Sequence, residues 1–269
     1  MVECTTEHVW VWDGPSIDFP MGPSIMGLGE GTRYFHASNV FYLFADTTDF
    51  ALTKLRGFKK VVCDITKWKY SGTPISEGGK YVFLSSRDEA LKLSQFSLRY
   101  RNVVGGLMDD LISGNRTKPE DLEDIYRALK VHNAALQLHA VFYTHEFDRP
   151  TIREYLPYVD VVNIWVWNNT QDLKRLDAYI NQCERVFPHK PILLGLYLYD
   201  FPTQQPMPMD LLQFEFNKAI QYVREGRIIG FSILASSLID HFPKTAEWVR
   251  GFLESNLTDL KVHPNLSAE

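Results

Sequence analysis

The chain has too few cysteines for a disulfide framework. Its three, Cys4, Cys63 and Cys183, lie far apart and form no CxxC pair. They read as small buried hydrophobes or a free thiol, with room for one disulfide at most. No apolar run reaches the roughly 18 residues a membrane-spanning helix needs. A large positive charge is also missing: the net charge of −5 argues against nucleic acid or an anionic membrane as partner. The start "MVECTTEHVWVWDG" has no basic stretch followed by an apolar one, so no signal peptide is read there. A secreted or periplasmic chain trimmed of its leader would look the same, and the sequence assigns no compartment. No HxH or HExxH spacing occurs, and "GLGEGT" lacks the lysine of a phosphate loop, so no cofactor is expected.

What is present is a rhythm. The 269 residues suit one large globular domain. Residues 1–38, rich in Gly and Pro, read as an irregular arm or lid packing on the rest, with at most a short strand at "HVWVW". From residue 39 strands and helices alternate. "NVFYLFAD", "KKVVCDIT", "YVFLS", "NVVGGLMDDL", "ALQLHAVFY", "VDVVNIWVW", "KPILLGLYLYD" and "RIIGFSILAS" read as strands. Helical patterns such as "KPEDLEDIYRALKVHN", with Pro119 in its first turn, lie between them. Such alternation predicts parallel βα units, and seven or eight of them fit a (β/α)8 TIM-type barrel over 39–258, with 259–269 as a tail. An open doubly wound sheet is the alternative.

Period-2 parity then separates the faces of each strand. Ile192, Leu194, Leu196 and Leu198 form an aliphatic face, opposite Gly195, Tyr197 and Tyr199. Val162, Ile164 and Val166 oppose Asn163, Trp165 and Trp167. Leu138, Ala140 and Phe142 oppose His139, Tyr143 and His145, and Asp64 opposes Cys63 and Ile65. One face is aliphatic and should meet helices. The other is aromatic and polar, increasingly so toward the carboxyl ends, where parallel α/β folds bind ligands.

Carboxylates gather at those same ends. Asp109 and Asp110 close the "GGLMDD" strand, Glu146 and Asp200 close others, and strand alternation predicts that only one of the adjacent aspartates faces the mouth. Several acids around a ring-lined mouth suit glycoside chemistry, with one protonating the leaving oxygen and another acting as nucleophile or base. The "GGLMDDL", "NIWVWN" and "GLYLYDF" segments resemble those of (β/α)8-barrel glycoside-hydrolase-like proteins, over roughly residues 39 to 254. The resemblance implies a carbohydrate ligand and acid/base carboxylates. It departs from well-known glycosidase families in having neither an Asn-Glu pair nor a DxxDxDxE run. The expected site has Asp110 as acid or base, Asp109 orienting it and Glu146 as second carboxylate. Trp165, Trp167, Tyr197 and Tyr199 would stack on rings, while Asp64, His139, Tyr143, His145, Asn163 and Asp200 would bind hydroxyls. Two alternatives stand beside this one: a metal-dependent barrel hydrolase or isomerase, and a barrel that binds saccharide without cleaving it.

Overall fold

A computed structural model describes residues 2–14, 22–43, 45–66, 75–77, 80–82, 85–113, 117–167 and 169–260. Eight parallel strands close into a barrel in chain order: β1 (Val9–Asp13), β2 (Asn39–Tyr42), β3 (Lys60–Asp64), β4 (Val103–Met108), β5 (Gln137–Tyr143), β6 (Val161–Trp165), β7 (Ile192–Tyr197) and β8 (Gly230–Leu234). The barrel closes where β1 pairs with both β8 and β2.

That closure revises the expected boundary of the N-terminal arm, because β1 lies inside residues 1–38. All five residues of "VWVWD" are buried, as befits a strand covered on both faces, and such a strand carries little polar alternation to announce it. The segment "YVFLS" is not a stave. Its Tyr81 and Val82 belong to the strand Lys80–Val82, which pairs antiparallel with Ile75–Glu77 in a separate hairpin. At the other end Asp259 accepts hydrogen bonds from the Thr6 amide and hydroxyl, so the start of the expected tail packs against the N-terminal segment. Residues 261–269 lie outside the described residues.

Helices cover the barrel as local chemistry dictates. In α1 (Glu30–Tyr34), α2 (Asp49–Lys54) and α3 (Ser86–Ser97) the starts are acidic. Thr48 and Ser85 cap the latter two through their hydroxyls, taking amide hydrogens the helix cannot satisfy. In α4 (Pro119–Lys130) Pro119 opens the helix, Glu120 and Asp121 follow, and Arg127 and Lys130 close it, complementing the helix dipole. Leu122, Ile125 and Leu129 recur at helical spacing and are buried. Each such side chain contributes roughly 1.5–3 kcal/mol. The remaining helices are α5 (Leu176–Val186), α6 (Met209–Arg224) and α7 (Pro243–Asn256). Between β5 and β6 the expected α-helix is a 3-10 helix, Pro150–Tyr158, with Pro157 inside it. Among the described residues no helix is long and apolar enough to cross a membrane, and all three cysteines are free and buried.

The parity argument holds inside the barrel. Phe231 meets Phe216 of α6 and Phe142 meets Phe187 at the end of α5, so the aliphatic faces look outward. Inward, Trp10 packs on Phe41 at 4.8 Å, Trp12 on Trp165 at 5.0 Å, and Trp165 on Tyr197 at 4.7 Å. Gly195 makes room for this: a Cβ there would come within 2.0 Å of the Trp165 ring.

Candidate active site

The carboxyl ends of the strands frame the site. β4 ends at Met108, and Asp110 takes a left-handed backbone conformation, φ 48°, which aspartate tolerates better than most residues. Strand alternation therefore stops before the aspartates. The charges of both aspartates add to the upward push on the Tyr143 and Tyr197 phenols. Burial is the larger cause for each tyrosine, and both stay neutral donors at any working pH. Tyr143 uses its hydroxyl to donate to Asp110 Oδ1.

An arc of rings continues from this pair. His145, exposed, stacks on Tyr143 with centroids 5.5 Å apart and planes 10° from parallel. Tyr143 meets Trp167 at 5.9 Å, and Trp167 meets Phe201 at 4.6 Å. Tyr197 approaches Phe201 at 5.4 Å and Trp167 at 6.2 Å, closing the arc. Trp167 keeps 37% of its surface exposed, so a face of the arc is open to a ligand.

The other carboxylates hold the frame. Glu146 is fully buried; one oxygen accepts the Tyr143 amide at 2.9 Å and the other accepts the Ser113 hydroxyl. It thus ties the segment after Asp110 to the end of β5. Asp200 accepts the hydroxyls of Thr170 and Thr203, stapling the loops after β6 and β7. Asp64 accepts the Thr66 amide at 2.8 Å and the Thr66 hydroxyl. All three sit at strand ends; Glu146 and Asp200 have both oxygens engaged within the fold, while Asp64 takes both of its bonds on Oδ1.

Several expected ligand contacts lie deeper than the mouth. Trp165, 2% exposed, is its floor, between Trp12 and Tyr197. His139 packs against Trp10 and Phe41 in the interior, and burial lowers its pKa to about 3, keeping it neutral. Asn163 is buried two residues below Trp165, and neither its amide nor the His139 ring has a hydrogen-bond partner among the described residues. Tyr199 is buried against Phe201 and stacks on Phe242, away from the open face.

Sequence reasoning missed Trp12, Phe41, Phe201 and Asp13. Asp13, at the end of β1, takes the Gly29 amide at 3.1 Å and the Thr32 hydroxyl at 2.6 Å, docking α1 onto the mouth. Burial raises its carboxyl above the usual range, opposed by those hydrogen bonds. Its signal was present: an aspartate ending an apolar run, the same pattern read at Asp64. Among the described residues no three His, Cys, Asp or Glu side chains assemble into a group that could hold a metal ion.

No protein-family model matches the chain, and no curated protein sequence does. Solved structures do match its fold. A candidate α-L-fucosidase from Bacteroides thetaiotaomicron superposes with a TM-score of 0.58 at 12% identity, covering 94% of this chain and 96% of that one. A family 18 chitinase from Crocus vernus gives 0.55 at 13% identity, covering 91% and 99%. A xylanase–α-amylase inhibitor protein solved with trehalose gives 0.55 at 15% identity, covering 91% and 98%. The chain spans only 27% of the length of a Bacteroides uniformis β-glucuronidase it also matches. At these identities the likeness is one of architecture: the chain is a closed (β/α)8 barrel that resembles those of glycoside hydrolases.

Proposed function

We propose that the chain is a carbohydrate-active barrel that hydrolyses a glycosidic bond. The observation that carries this reading is the hydrogen bond of Tyr143 to Asp110, with Asp109 next to it in the chain, at the aromatic arc of Tyr143, Trp167 and Phe201 beyond the carboxyl ends of the strands. Sugar rings stack on aromatic faces through their C–H edges, and carboxylates supply the proton transfers that expel the leaving oxygen. Asp110, held by the Tyr143 hydroxyl, serves as acid or base, and Asp109 is the second carboxylate in place of Glu146, whose oxygens are occupied. Exposed His145 and the Tyr143 hydroxyl are the hydroxyl-binding groups best situated for a ring on Trp167.

The test is hydrolysis of a panel of aryl glycosides and polysaccharides. The expected outcome is release of product by the wild type and a fall of roughly 10²–10⁴-fold in kcat for Asp110→Asn, the range for loss of a general acid or base. Turnover unchanged in both Asp110→Asn and Asp109→Asn overturns the assignment. One observation favours a second reading, binding without cleavage. Adjacent residues just past one strand end supply both acids, whereas most glycosidases set their two carboxyls on opposite sides of the bond. The inhibitor protein solved with trehalose shares this fold. Saccharide binding by a wild type that hydrolyses nothing favours that reading.

A further inference from the structure

The segment that carries Asp109 and Asp110 runs on through Ile112 and Ser113, and a cavity of about 480 Å³ opens beside it. That volume falls within the roughly 300–1,000 Å³ of small-molecule sites. Among the described residues its polar lining comprises Ser113, Thr117, Lys118, Arg149, Thr151 and Tyr155, and the two charged groups of these are cations. Neither forms an ion pair among the described residues. Among the described residues the Arg149 guanidinium has one hydrogen-bond partner, the Ser113 hydroxyl at 3.3 Å, although it offers five N–H donors. Lys118 precedes α4 and makes no side-chain cap there.

The surrounding carboxylates do not supply the missing counter-charge. Glu120 and Glu154 act on the Tyr155 phenol, which burial and these charges push upward, but they do not line the cavity. Glu146 lies behind Ser113 with both oxygens already engaged. The Tyr155 hydroxyl donates to the Thr117 carbonyl at 2.8 Å, which fixes the cavity wall. Two cations without a carboxylate partner among the described residues, set among hydroxyls, are the chemistry that takes an oxyanion bidentately.

We propose that this cavity is a second binding site, for a sugar residue bearing an oxyanion, either a carboxylate or a sulfate ester. Arg149 and Lys118 hold the anionic group, while Ser113, Thr117 and Thr151 bond ring hydroxyls. That the anion is carried on a sugar rests on the carbohydrate reading of the mouth; that the cavity takes an oxyanion does not. Ser113 also connects the two places, since it bonds Glu146, which bonds the amide of the tyrosine that holds Asp110.

Calorimetric titration of the full chain with sodium glucuronate, sodium sulfate and glucose tests this. Saturable binding of an anion but not of glucose is expected, weakened by about tenfold or more in Arg149→Met. Tighter binding of glucuronate identifies a uronic acid as the source, and tighter binding of sulfate identifies a sulfate ester. Should Arg149→Met fail to fold, Lys118→Met, at an exposed position with no cap bond, carries the same comparison. Absence of saturable binding by both anions, or equal affinity in wild type and variant, overturns the proposal. Anion binding by a protein that cleaves no glycoside leaves this site intact and removes only the hydrolytic reading.

Discussion

At Gly195 the barrel has no tolerance for a side chain, because the rigid Trp165 ring occupies the place where a Cβ would sit. Gly195→Ala is expected to cost at least about 2 kcal/mol, as overpacking against a ring that cannot yield. Urea unfolding measures it, and a variant as stable as the wild type contradicts the packing described. His139 makes a second residue-scale prediction. Burial lowers its pKa from 6.5 to about 3, so the folded state refuses a proton that the unfolded chain accepts. This stabilising difference is complete above the unfolded pKa and is lost as pH falls through the window from about 6.5 to about 3, by up to about 4–5 kcal/mol. Between roughly pH 7 and pH 4.5 the wild type should therefore lose more unfolding free energy than His139→Gln. Parallel slopes contradict it. Parity of the strand gave the inward direction of His139, Asn163 and Trp165 but not their depth, since depth depends on where neighbouring strands start. The same limit applies to Glu146 and Asp200. Each sits at a strand end, as read, yet their partners Ser113 and Thr170 come from other loops that sequence spacing cannot bring into view.

Elements were legible wherever one face alternated against another. β3, β5, β6 and β7 and the amphipathic α4 carry that signal, with Leu122, Ile125 and Leu129 on one stripe. β1 does not, because burial on both sides makes "VWVWD" uniform, and its Gly- and Pro-rich sequel disguises it as an arm. "YVFLS" shows the opposite error, a strand-forming run whose described part pairs locally instead of joining the barrel. α6 violates its own stripe at one position. Glu215 is fully buried among Leu211, Phe216 and Ala219, and neither carboxyl oxygen makes a well-formed hydrogen bond among the described residues. Burial raises its pKa well above 4.5, opposed only by the Tyr197 backbone. A raised folded pKa means the stability it allows is fully present below about pH 4.5 and is lost as pH rises toward the folded value. Glu215→Gln should thus stabilise the protein by roughly 1–3 kcal/mol at neutral pH and by little near pH 4. Thermal melts at the two values check this, and an equal gain at both would count against it.

At the scale of the whole molecule, closure of the barrel is what turns separate strand ends into one site. β4, β5, β6 and β7 are neighbours in the ring, so Asp110, Tyr143, Trp167 and Tyr197 converge although nearly ninety residues separate the first from the last. Their carboxylates and rings could be listed from the sequence, whereas the left-handed backbone at Asp110, which bonds the Tyr143 hydroxyl, could not. The most direct measurement of that convergence is a crystal structure of Asp110→Asn with an oligosaccharide the protein binds. A ring lying on Trp167, with its glycosidic oxygen beside residues 109 and 110, is the predicted result. A saccharide bound elsewhere on the barrel, with Trp167 and both aspartate positions untouched, would contradict the account.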